Sequence, residues 1–436
     1  MEDGSAHSDR HRGTQGGTHG GPVTRRRALA LGAGGAAALL AGGAGLVRAR
    51  SGGETPDARA IGGNGAAAAF TPGDAATVLD SRARAVRTGD RTAFLTTVGS
   101  APTAFRDAQS RLYGNIRALP LDGWRERAVA TQTVDGAKDV AILRVETRYR
   151  LRGFDHGDVA RTRYLALAPR SGAWTIVGDG SSHNLHDDAE IWDGGPLSVV
   201  NGRASLVIGD ATGLDEIAGR LDAAVPVVSG VVGGTWARRV VALVPASASL
   251  AAALAGPGQR LGEIAALATL APSAEGGAGE DRVIISPGTF GRLNSLGRDV
   301  VLTHELTHVA TGGARDRTTP LWLIEGFADY VGYRGAKISV RSAAGELRRE
   351  VTAGRIPAAP PAAAAFSGGS PRLSQAYQEA WLACRMIAAR YGEATLVRLY
   401  RTAGRVPEET ALRDVLGLTR DRFIALWRDY LKKELA

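Results

Sequence analysis

Cysteine is almost absent from this chain of 436 residues: Cys384 is the only one, and methionine occurs twice. A single cysteine excludes an internal disulfide bond, so disulfides do not hold the fold together. Cys384 lies in the apolar stretch 383–386, which is typical of a buried helix. We therefore interpret it as a small core residue that says little about the redox compartment.

The sequence also lacks a basic stripe with interleaved aromatic residues. The formal net charge is +9, yet the basic residues are almost all arginine and are scattered along the chain. Without a nucleic-acid-binding motif, this distribution predicts no nucleic-acid partner. The hydrophobic share of 44% and the charged share of 22% are those of a globular protein, and the length allows two or three domains.

A long uncharged run occurs near the amino terminus. Residues 1–27 are rich in Gly, His and Ser and end in three arginines, which predicts a disordered tail with a basic end. Residues 28–47 carry no charge, as in a signal segment or a membrane anchor. Their weak hydrophobicity behind paired arginines is similar to a twin-arginine export signal. Residues 48–71, rich in Gly, Pro and Ala, are predicted to be a linker.

Both interpretations of this run have the same consequence for location. Cleaved or uncleaved, it predicts that the rest of the chain lies outside the cytoplasm, either secreted or anchored to the outer face of the cell membrane. If uncleaved, this one N-terminal segment is the contact with the membrane.

Residues 72–190 form the next predicted unit. Helical periodicity over 74–98 and 104–116 precedes stretches that alternate as strands, at 129–134, 140–149, 161–168 and 173–177. Two helices followed by a curved antiparallel sheet are similar to the cone-shaped fold of the nuclear-transport-factor-like superfamily. The resemblance implies a unit that holds a small molecule, binds a partner or only packs. Its residues show no catalytic constellation.

The strongest chemical signal is the motif His304-Glu305-Leu-Thr-His308 within the apolar periodic stretch 299–310, which predicts a helix. Four residues of helix advance about 400°, so the two histidines stack on one face, one turn apart. Two imidazoles so placed can ligate one tetrahedral cation, for which zinc is the usual occupant. Glu305 is rotated by about 100° and flanks the metal, where a carboxylate can take a proton from metal-activated water.

A third ligand is predicted downstream. Glu325 follows His308 by 17 positions, which leaves room for the motif helix to end at Gly312-Gly313 and for a second helix to begin near Pro320. Glu325 can then complete a three-residue site whose fourth position is open to water. Asp329, one helical turn further, suits a carboxylate that holds the free ring N–H of a ligand histidine. The small Gly326 and Ala328 would let the two helices approach closely.

These residues resemble the gluzincin metallopeptidases, the thermolysin- and aminopeptidase-like clan, in which H-E-x-x-H is followed by a helix of pattern W-L-x-E-G-x-A-x-Y. Residues 322–330 read WLIEGFADY. The resemblance covers roughly residues 190–436 and implies that His304, His308 and Glu325 bind zinc and that Glu305 is the general base. The spacing is slightly shorter than in typical aminopeptidases, and no G-x-M-E-N exopeptidase signature is present.

Two further expectations concern the cleft. In gluzincins the last strand before the motif helix borders the cleft, and residues 283–286 would be that edge strand, or else an ordinary sheet strand. The resemblance also implies a tyrosine that stabilises the oxyanion of the scissile carbonyl. Tyr377, at the start of the predicted helix 374–391, is the candidate; a core or rim position is the alternative, because Gln and Ala stand where those families show Glu and Gly.

The sequence therefore predicts an α+β chain: a cone-like α+β domain at 72–190, then a zinc metallopeptidase domain at 191–436 with a mixed sheet, the motif helix and a helical C-terminal subdomain. The predicted activity is hydrolysis of peptide bonds in a peptide or protein substrate, with Zn²⁺ as cofactor, although cobalt or manganese could use the same ligands. Two alternatives remain open: a surface-anchored binding protein with a structural metal, and a metal-dependent hydrolase of a non-peptide ester or amide.

Overall fold

A computed structural model of the chain describes residues 70–133, 139–256, 261, 264–274, 276–367 and 369–436. The predicted tail, signal or membrane segment and almost all of the predicted linker lie outside these residues. Within the described ranges, no helix is both long enough and apolar enough to cross a membrane. The α+β class and the helical C-terminal part are confirmed.

The first unit begins with helices α1 (Pro72–Thr88), α2 (Arg91–Thr96) and α3 (Thr103–Ala118). The expected single helix over 74–98 is wrong, because Gly89 adopts a left-handed φ of 75° that ends α1. The side chain of Asp90 then caps α2 by accepting a hydrogen bond from Ala93 N at 2.9 Å. A chain reversal thus splits the periodic stretch into two helices.

The helices of the first unit pack on a four-stranded antiparallel sheet. Its order follows the chain: β1 (Leu121–Thr133), β2 (Ala141–Leu151), β3 (Val159–Arg170) and β4 (Ala173–Asp179). Trp124 and Tyr149, from β1 and β2, are buried together with Trp192, which follows the first unit. Asn115 of α3 reaches the same connection, donating to Trp192 O at 2.9 Å. The two parts of the chain therefore share one buried contact region.

The second sheet has five strands in the order β5-β6-β7-β9-β8, formed by β5 (Ser198–Asn201), β6 (Ser205–Gly209), β7 (Val240–Val244), β8 (Ala266–Ala271) and β9 (Glu280–Ile285). Strands β6, β7 and β9 are parallel, whereas β5 and β8 pair antiparallel at the two edges. The expectation that 283–286 is the edge strand is wrong. Strand β9 pairs on both sides, as the alternative of an ordinary sheet strand has it, and β8 is the edge strand next to it.

Helices cover this sheet and make up most of the described residues that follow β9. Between the strands lie α4 (Leu214–Val232) and α5 (Ala248–Ala255). After β9 come α6 (Pro287–Phe290), α7 (Ser295–Thr311), α8 (Leu321–Gly332), α9 (Val340–Ala343), α10 (Gly345–Thr352), α11 (Leu373–Tyr391), α12 (Glu393–Ala403), α13 (Glu408–Leu416) and α14 (Arg420–Leu435). Helix α7 packs between α4, α8 and β8, which places it in the centre of this part of the molecule.

Candidate metal centre

Helix α7 carries the motif. It begins where Asn294 accepts a hydrogen bond from Gly297 N at 2.8 Å, and it ends at Gly312, whose φ of 70° stops the helix. Because α7 is packed on several sides, the motif side chains are removed from water. His304 and Glu305 are 0% exposed, and His308 is 5% exposed.

Helix α8 brings Glu325 to the two histidines. The turn before α8 is fixed by Asp316, which accepts hydrogen bonds from Thr318 N and Thr319 N, both at 2.9 Å. The Oε2 atom of Glu325 then lies 3.3 Å from His304 Nε2 and 3.5 Å from His308 Nε2. The two Nε2 atoms are 2.9 Å apart. The structure therefore brings together the three side chains that the sequence analysis singled out as ligands.

These distances fit a tetrahedral metal ion. Bonds of about 2.0–2.1 Å to such an ion place its ligand atoms about 3.3 Å from one another, close to the separations described above. The charges also fit. Among the residues that the structure describes, Glu305, Glu325 and Asp329 are buried beside the two imidazoles, and buried carboxylates without compensating charge are costly. A divalent cation bound by His304, His308 and Glu325 would offset that charge.

Asp329 contacts the ring nitrogen of His304 that does not face the other two candidate ligands. Its Oδ1 lies 2.8 Å from His304 Nδ1, so Nδ1–H can donate to the carboxylate and leave the lone pair of Nε2 toward Glu325 and His308. Burial alone would lower the pKa of His304, but Asp329 and Glu325 outweigh it and raise that pKa well above its ordinary value. Protons therefore compete with a metal for this imidazole.

Glu305 is held by the sheet. Its Oε2 accepts a hydrogen bond from the backbone N–H of Ala268 in β8 at 2.6 Å. Its Oε1 is buried, and no hydrogen-bond partner for it lies among the described residues. Burial raises the pKa of Glu305, although the two histidines act in the opposite direction. One oxygen is thus fixed, and the other is available to a reacting group.

Glycines set the spacing around the centre, though not as the sequence analysis expected. A Cβ on Gly326 would lie 2.3 Å from Ala380 O, so this glycine lets α8 pack against α11 and not against α7. The close approach to α7 is at Gly332, where a Cβ would lie 2.9 Å from Val300 O. The predicted helix contact exists, but a different glycine makes it.

Tyr377 lies in the first part of α11, beside the centre. Its ring centroid is 6.3 Å from that of His304, and the ring of Phe366 packs edge-on against it at 5.2 Å. Tyr377 and Phe366 are each 1% exposed. Phe366 belongs to the connection 353–372 between α10 and α11. The structure therefore places Tyr377 next to the candidate ligand His304, and Phe366 of this connection packs against the tyrosine ring.

Three contributors to the centre had no signal in the sequence analysis. The N–H of Ala268 is a backbone group, Gly332 lies outside the motif, and Phe366 is distant along the chain. Each acts through a tertiary contact that has no periodicity to reveal it. For Gly332, the available signal was its position within one helical turn of the pattern at 322–330, on the predicted second helix.

Comparisons with known proteins add a distant similarity. No family model matches the chain, and no curated protein matches it. A solved M1 zinc metallopeptidase mutant from Deinococcus radiodurans, bound to a Tyr-Ser-Ala substrate, is 13% identical, with 72% of this chain covered and a TM-score of 0.31.

Two further structures, of a two-domain M1 zinc metallopeptidase mutant, are each 12% identical with a TM-score of 0.32. One is bound to L-arginine, with 72% of this chain covered, and the other to L-tryptophan, with 73% covered. This chain spans 62% to 64% of the length of the three solved chains. At these values the similarity assigns no activity.

Proposed function

We propose that this protein is a zinc-dependent hydrolase of peptide bonds, in which His304, His308 and Glu325 hold the metal and Glu305 is the general base. The observation that carries the proposal is the convergence of three ligand atoms within 4.8 Å of one another, beside a buried carboxylate on the next residue of the same helix. A structural zinc usually has four protein ligands, whereas three leave a coordination position for reaction.

The residues of the chain divide the chemistry between them. A zinc ion held by His304, His308 and Glu325 would supply polarisation of water and of the substrate carbonyl. Glu305 accepts the proton of the attacking water on one carboxylate oxygen, while Ala268 N–H holds the other oxygen in place. The protonated Glu305 then donates to the leaving amine, and its raised pKa favours this second role.

The edge strand provides a surface for an extended peptide. Residues 268–270 of β8 are partly exposed, and no other strand of the described sheet pairs with their outer side. A peptide that adds to this edge would place its backbone beside Glu305. Backbone pairing of this kind favours a peptide over a small ester, and it is the reason we prefer a peptidase to the hydrolase of a non-peptide substrate.

Tyr377 is the proposed donor to the developing oxyanion. The supporting observation is its position on α11 near His304. A phenolic O–H aimed at the developing charge stabilises a transition state more than the ground state.

We also propose that the chain is exported. The support is the uncharged run 28–47 behind paired arginines. Whether that run is cleaved decides between a secreted and a membrane-anchored protein, and amino-terminal sequencing of the mature protein from its host distinguishes them.

The first test is zinc stoichiometry in the full chain, measured by elemental analysis for wild type beside Glu325→Ala. We expect one zinc per chain in wild type and loss of that zinc in the variant. Glu305→Gln is then expected to keep its zinc and lose turnover on a peptide library. Turnover that persists in Glu305→Gln would contradict the assigned base, and zinc that is equally bound in Glu325→Ala would contradict the assigned ligand set.

A further inference from the structure

The outer edge of β8 is short, and the backbone pattern shows where it ends. In an antiparallel strand the N–H and C=O of alternate residues point the same way. The N–H of Ala268 points outward to Glu305. The backbone N–H and C=O of Leu270 therefore also point outward, and so does the C=O of the next alternate residue, Pro272. Proline has no N–H to offer a further strand.

The first unit occupies the edge beyond that point. The backbone N–H of Ala160, at the start of β3, donates to Pro272 O at 3.0 Å. Ala274 N–H in turn donates to Asp158 O at 3.0 Å, and Val159 forms a bridge with Ser273. The start of β3 and the residue before it therefore take the outward-facing groups that an added peptide would need, and they close this end of the edge.

A cavity lies at the closed end. It has a volume of about 930 Å³ and is bordered by the first unit, by the hairpin between β8 and β9, and by the last turn of α7. Its wall includes Phe154 and His156 of the first unit, and residues 309–312, which directly follow the ligand His308. The space at the end of the edge is thus adjacent to the metal centre and is large enough for a terminal residue.

We propose that the first unit is a length stop for the peptide substrate. From Ala268, opposite the general base, to Pro272 is four residues, or about 14 Å of extended chain. Antiparallel pairing is the more stable arrangement and runs the peptide with its amino-terminal side toward Pro272. The enzyme then cleaves peptides within about four residues of their amino terminus. Residues 154–160 form the wall that stops a longer amino-terminal side. This inference rests on the proposed peptidase function.

The test uses peptide binding, which does not depend on turnover. The zinc-loaded full-length Glu305→Gln variant is titrated with peptides labelled at the carboxyl end, whose amino-terminal side grows from one residue to eight on a constant sequence. Fluorescence anisotropy gives each dissociation constant. We expect an affinity that does not fall up to about four residues and then weakens by about tenfold, because the next residue meets the wall. Extension on the carboxyl side is expected to show no such step.

A variant that fills the cavity at the closed end of β8 tests the position of the length stop. Ala237 is exposed and lines the cavity, so Ala237→Trp is expected to move the step to a shorter peptide. Ala252→Trp, at an exposed position of α5, is the matched control and is expected to leave the step unchanged. Equal affinity for all lengths, or a step that Ala237→Trp does not move, overturns the length stop while leaving the peptidase proposal intact. Failure of every peptide to bind overturns the proposed function itself.

Discussion

Removal of the charge on Asp329 tests whether this carboxylate orients a metal ligand. Asp329 is 3% exposed, and its Oδ1 lies 2.8 Å from His304 Nδ1. Asp329→Asn keeps the volume of the side chain but replaces the anion with an amide, which is a weaker acceptor. Loss of such a partner costs 10–100-fold in metal affinity, which corresponds to about 1.4–2.7 kcal/mol of binding free energy.

Zinc affinity is measured by competition with a chromophoric chelator at fixed pH, for wild type, Asp329→Asn and Glu379→Gln. Glu379 is the matched control, since it is a carboxylate of similar burial, on α11, that pairs with Arg372 at 2.8 Å and not with a histidine. We expect weaker zinc binding in Asp329→Asn alone. An unchanged dissociation constant in that variant would refute the reasoning that the carboxylate fixes the lone pair of His304 toward the metal.

Four further substitutions give distinct outcomes. Gly326→Ala is expected to destabilise the fold by about 1–3 kcal/mol in denaturant titration, because its Cβ would meet Ala380 O. Gly219→Ala is the control: a Cβ there meets nothing within 4 Å, so this substitution should stabilise α4 by about 0.5–1 kcal/mol. A larger loss of stability in Gly219→Ala than in Gly326→Ala would contradict the packing of α8 against α11. Burial raises the pKa of Glu379 from 4.5 to about 7, so its contribution to stability is present below the lower value and is lost as pH rises through the upper one. Glu379→Gln should therefore gain about 1–3 kcal/mol relative to wild type across that pH window, and parallel stability–pH curves would exclude the raised pKa. Tyr377→Phe should reduce kcat by about 10²–10³-fold with zinc content unchanged, and an unaltered kcat would place this tyrosine in the core only.

The local parts of the centre are predictable from the sequence because helix geometry relates neighbouring residues. His304 and His308 share a face at a spacing of four, and the same rule places Asp329 one turn from Glu325. The positions of these two helices relative to each other follow less directly, since a turn capped by Asp316 sets them.

The edge strand shows where sequence reasoning failed. Strand order depends on how the chain crosses over, which hydrophobic patterns record only in part. A signal was nevertheless present. Residues 283–285 of β9 form a continuous apolar run, typical of a strand buried on both faces, whereas β8 contains a threonine, Thr269, that is partly exposed. That signal separates a central strand from an edge strand but does not show which helix residue meets the edge, so the contact between Ala268 and Glu305 could not be predicted from the sequence.

The approach of α8 to α11 at Gly326 has a consequence for motion. At Gly326 the backbone of α8 lies against the backbone of α11 at Ala380, and the small side chain of Cys384 is the other close neighbour. Glu325 and Tyr377 are each within three residues of that contact, so they belong to one rigid block and keep their separation when a ligand enters. Widening of the site must then come from its other sides: the edge strand, or the connection 353–372 that carries Phe366. Crosslinks that join α8 to α11 should leave catalysis intact, whereas crosslinks that immobilise that connection should slow substrate entry.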